Sequence, residues 1–68
     1  MSARSASHRA RVARWIADQR QWIETHGATL SGYVARYGSA EDPEKYGDGG
    51  EAIYAADLAE LRRLEAMA

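Results

Sequence analysis

The sequence predicts an all-α fold, an antiparallel hairpin of two longer helices with a short middle helix and an acidic Gly/Pro loop. Three observations lead there. Apolar residues recur at helical spacing in three separate stretches, no stretch alternates as a strand would, and the only proline of 68 residues falls between the second and third stretches. The whole chain, 1–68, reads as a single helical domain, with residues 1–6 frayed and 38–50 forming the loop.

The first helix is expected from about Ser7 to His26. Val12, Trp15, Ile16, Gln19, Trp22, Ile23 and His26 follow a 3,1,3,3,1,3 spacing, which at about 100° per residue gathers them into an arc about 120° wide. Ser5 or Ser7 can cap the first N–H groups, and Gly27 suits the left-handed residue that ends a helix. Opposite the arc, Ala10, Ala13 and Ala17 form a small-residue strip. It reads either as a close-approach surface or as plain helix-forming alanine facing solvent.

A second helix is expected from about Leu30 to Tyr37. Leu30, Tyr33, Val34 and Tyr37 make a complete apolar stripe in two turns, with Thr29 as cap and Gly38 as stop. Gly32 weakens it by about 1 kcal/mol relative to alanine, so the element needs tertiary contacts to exist. The run GSAEDPEKYGDGG, 38–50, holds four of the six glycines and reads as loop. The third helix begins on Asp48 and Glu51, spaced as a capping box, and runs to about Met67. Ile53, Tyr54, Leu58, Leu61 and Leu64 form one face, and Ala52, Ala55, Ala56, Ala59 and Ala66 another.

The expected core is Trp15, Ile16, Trp22, Ile23, Tyr33, Val34, Tyr37, Tyr54, Leu58, Leu61 and Leu64. That is a small core for two indoles. A chain of 68 residues buries only about 60% of its unfolded surface, and scaffolds of this size commonly lean on disulfides, metal or oligomerisation. Cysteine is absent, which removes the first and fits a reducing, cytoplasmic setting. The two histidines stand eighteen residues apart, so no metal site is expected. Oligomerisation or a protein partner remains.

Charge is distributed unevenly. Residues 1–40 carry six arginines against Asp18 and Glu24, a net +4, and residues 41–68 carry Lys45, Arg62 and Arg63 against eight acids, a net −5. Such a chain can pair its own halves, pair with a copy, or offer its basic end to an anion. The segment 1–15 is rich in Ser, Ala and Arg and has no acid, as transit peptides do. It also runs straight into a patterned helix, which favours an ordinary basic terminus. No apolar stretch is long enough to span a membrane.

Catalytic chemistry finds no support. Neither His8 nor His26 has a nucleophile or acid at a useful spacing. The acidic loop lacks the alternating ligand pattern of a helix-loop-helix calcium site, and Gly47 to Gly50 lacks the Lys-Ser/Thr of a phosphate-binding loop. No enzyme activity, cofactor or small-molecule substrate is expected. The expected function is protein binding, as homo-oligomer or hetero-complex. Trp15 and Trp22 are the candidate anchors, Arg11 and Arg14 flank them, and Tyr46 in the loop is a further candidate contact. The alternative is a small nucleic-acid binder using Arg9, Arg11, Arg14 and Arg20 with the interleaved tryptophans.

The stretch RWIADQRQWIETHGATLSGYVARYG, followed by YGDGGEAIYAADLAEL, resembles small uncharacterised proteins encoded by actinobacteria and by the phages that infect them. The likeness covers roughly Arg11 to Leu61. It implies no activity and no functional residue, only a phage or prophage accessory role in which a small product binds another protein.

Overall fold

A computed structural model describes residues 3–41 and 49–68, with side chains described over 7–41 and 49–68. Three helices follow one another: α1 Ala3–His26, α2 Leu30–Tyr37 and α3 Gly49–Met67. Among the described residues there is no strand. Helix α3 touches both of the others, while α1 and α2 meet at only a few points near their junction.

Helix α1 starts four residues earlier than expected, so 3–6 are helical and only 1–2 of the expected frayed segment lie outside the described residues. Ala3, Arg4 and Ala6 are strong helix formers and nothing in that turn interrupts them. Ser5 and Ser7 therefore sit inside the helix and do not cap it. At the other end Gly27 has φ +151°, and the left-handed residue is Ala28, at φ +68°. The Ala28 N–H reaches back to the Ile23 carbonyl at 2.8 Å, closing the last turn as a 6→1 bond. A Cβ is strained in that conformation. Ala28→Gly should therefore raise stability by up to about 1 kcal/mol, seen as a higher urea midpoint with an unchanged slope.

Helix α2 has the expected bounds. Thr29 Oγ1 accepts the Gly32 N–H at 3.1 Å, and the Gly38 N–H closes onto the Val34 carbonyl at 2.8 Å. Gly32 has a second role. It lies against the Gly27 backbone so closely that a Cβ there would collide with the Gly27 carbonyl. The propensity lost at this position is what lets α1 turn tightly into α2.

The expected loop is shorter than 38–50 because Gly49 and Gly50 already belong to α3. Residues 42–48, with Tyr46 and the Asp48 half of the capping box, lie outside the described residues. Glu51 accepts the Ala40 N–H at 3.0 Å and the Ser39 hydroxyl at 3.0 Å. Its own N–H and that of Ala40 hold its carboxyl below the usual carboxylate range. Glu51 thus ties the exit of α2 to the first turn of α3, and the Gly50 N–H does the same by donating to the Gly38 carbonyl at 2.7 Å.

Among the described residues the buried apolar side chains are few: Val12, Ile23, Tyr33 and Leu64. Of the expected core, Ile16, Val34, Tyr37, Tyr54, Leu58 and Leu61 are half-buried. Tyr33 is the keystone, its ring 4.9 Å from that of Tyr54 and 5.9 Å from that of Tyr37. Trp15 and Trp22 are not core: they remain 43% and 51% exposed. Leu30, Ile53 and Met67 are exposed as well, so neither the α2 stripe nor the α3 face is fully covered. The three alanines of the α1 strip also face solvent.

The Cα radius of gyration is 15.4 Å, against about 11 Å for a compact globule of this length. The chain is a rod, and rods enclose little.

Candidate functional site

The site is a groove between α1 and α3, and its origin is a register effect within α1. Residues 12, 16, 19 and 23 are spaced 4,3,4 and turn inward, buried or half-buried. Residues 11, 15, 18 and 22 repeat that spacing one position earlier, about 100° round the helix. The first row supplies Val12 and Ile23 to the interior. The second leaves Trp15 and Trp22 beside it, half in contact with the fold and half in solvent.

Together with Asp18, Gln19, Glu60, Arg63 and Leu64, the two indoles line an open groove of about 410 Å³. Leu64, 5% exposed, is its apolar floor. On the α3 side Arg63 donates to Glu60, Nε to Oε2 at 3.0 Å, which lowers the Glu60 carboxyl below its ordinary range. Arg20 bridges to Glu65 at 2.9 Å, both side chains largely solvated, and such a pair adds little stability.

Trp22 is held in place. Its indole N–H donates to Asp57 Oδ2 at 3.3 Å, and its ring stacks on His26 with centroids 3.9 Å apart. The His26 Nδ1 lies 2.7 Å from the Trp22 carbonyl oxygen. A carbonyl only accepts, so the imidazole carries its proton on Nδ1 in this arrangement. A large side chain locked in this way loses little entropy on binding a partner.

Asp57 was not among the expected site residues, yet it joins the three helices. Its carboxylate accepts the Tyr33 hydroxyl from α2 at 2.7 Å and the Trp22 indole from α1 at 3.3 Å. Its backbone carbonyl accepts the Gln19 amide at 2.9 Å. Burial first, and then the bond to Asp57, push the Tyr33 phenol above the usual tyrosine range. In the sequence Asp57 looks like one more acid on an acidic helix, and no local pattern marks it.

Of the expected site residues, Trp15 and Trp22 share the groove. Arg11 and Arg14 are exposed on the same side of α1, outside its lining, and neither has an ion pair with a described carboxylate. Tyr46 lies outside the described residues. Among the described residues no cluster of His, Cys, Asp and Glu could hold a metal, and no helix is long and apolar enough to cross a membrane.

No protein-family model matches the chain, and no curated protein or solved structure is similar to it.

Proposed function

We propose that this chain is a small non-enzymatic interaction module that binds protein through the Trp15–Trp22 groove. The observation that carries the reading is the placement of the two largest apolar side chains. They stand side by side over an apolar floor, each about half exposed, where a purely structural role would enclose them. Tryptophan is the residue most enriched among interface anchors, and a fixed indole over a pocket is how such anchors work.

The pairings of Trp22 with Asp57, and of Arg20 with Glu65, support reading α1 and α3 as an antiparallel hairpin with the groove along one side. The resemblance to actinobacterial and phage proteins adds a context in which a short adaptor would act, as a phage or prophage accessory protein.

Trp15→Ala tests the reading. Trp15 has no described hydrogen bond, so its loss should leave helical circular dichroism unchanged while weakening association by about 2 kcal/mol or more. Association is read as concentration-dependent mass, with tryptophan emission followed alongside. Both indoles resisting a soluble quencher in a stable single copy would remove the surface altogether.

The nucleic-acid reading keeps one supporting observation, that Arg11 and Arg14 are exposed and have no ion pair with a described carboxylate. It requires binding that collapses as salt rises, whereas an apolar interface holds.

A further inference from the structure

The geometry points to a second copy of this chain as the occupant of the groove, laid antiparallel so that α1 of each copy enters the groove of the other. The inference rests on the binding-surface reading above and narrows it to one partner.

Charge is the first argument. Glu60 and Arg63 neutralise each other across the α3 rim, and Asp18 is left exposed with no described ion pair. A fitting occupant brings a cation opposite Asp18 and an apolar side chain against Trp15. Helix α1 offers both, since Arg11, Trp15, Asp18 and Trp22 lie on one stripe, and Arg14 stands beside it.

Symmetry is the second. In a two-fold interface, if residue i meets residue j of the other copy, then j meets i. With α1 against α1 in the parallel sense, Asp18 meets the partner's Asp18 and Arg11 meets the partner's Arg11, which is repulsive twice over. In the antiparallel sense Arg11 meets the partner's Asp18 and Asp18 meets the partner's Arg11, so the same charges attract twice. Arg14 lies within one turn of that carboxylate.

Length is the third. The midpoint of α1, Ala3–His26, falls between Arg14 and Trp15. The midpoint between Arg11 and Asp18 falls at the same place. The register that pairs the charges is therefore the register in which the two helices overlap end to end, for about 36 Å. It brings Trp15 close to the partner's Trp15 at the two-fold axis. It also turns two thin rods into one four-helix layer, covering Trp15 and the Leu64 floor beside it.

Sedimentation equilibrium of the full chain over a wide concentration range tests the pairing, using Asp18→Arg and the double variant Arg11→Glu with Arg14→Glu. The wild type should pass from one copy to two as concentration rises. Each reversal alone should weaken the dimer about tenfold or more, with helical circular dichroism unchanged. An equimolar mixture of the two should restore a mixed dimer, because each copy then offers the other the opposite charge. If a reversal unfolds the chain, Asp18→Asn and Arg11→Gln replace it, and each should weaken the dimer by a smaller factor.

Monomeric single variants whose mixture stays monomeric overturn the antiparallel pairing. A wild type that remains a single copy with both indoles open to quencher overturns the second copy as occupant and leaves the wider binding reading in place. A single copy with both indoles shielded removes both.

Discussion

Tyr33→Ala should cost about 3–5 kcal/mol, the loss typical of emptying a buried aromatic site, and in a domain of 68 residues that is most of the stability available. Tyr33 is fully enclosed, is the one buried residue of α2, and contacts the rings of Tyr37 and Tyr54. Tyr33→Phe separates ring from hydroxyl. It keeps the packing and removes only the 2.7 Å bond to Asp57, which as a bond to a charged acceptor is worth about 1.5–3 kcal/mol. Urea denaturation of the two variants gives both numbers. Equal losses for phenylalanine and alanine would mean that the Asp57 bond, and not the aromatic cluster, fixes α2 in place.

Gly50→Ala should also be strongly damaging, at about 3 kcal/mol, the upper end of what overpacking costs. A Cβ on Gly50 would run into the backbone of Tyr33 and Val34, and backbone cannot swing aside as a side chain can. The first turn of α3 would have to lift off α2. That would loosen the Gly50 bond to Gly38 and the Glu51 contacts with Ser39 and Ala40. Helix propensity alone gives the opposite sign, since alanine is the better helix former by about 1 kcal/mol. The measured sign of the change thus decides between local propensity and close approach.

The parts legible in the sequence are those specified locally. Helix α2 is the clearest case, because Thr29 and Gly38 act within four residues of themselves. What was not legible depends on which neighbour arrives from elsewhere in the chain. The apolar arc of α1 was visible, but its middle and its edge are chemically alike. Nothing in the spacing says that Val12 and Ile23 end up buried while Trp15 and Trp22 stay about half exposed. Asp57 was hidden for the same reason, its partners lying 24, 35 and 38 residues away along the chain. Helix α1 ran longer than expected because a serine can cap a helix or simply continue one, and only context chooses.

The eight residues of α2 are too few to hold a helix by themselves, and what anchors them belongs to α3, which follows α2 in the chain. During synthesis α2 therefore waits for α3: until Tyr54 and Asp57 emerge, Tyr33 has neither its ring neighbour from α3 nor its hydrogen-bond acceptor. Heating should reverse this in a single cooperative step. A nascent or truncated chain ending before α3 would expose its aromatic residues as a ready substrate for quality-control proteases.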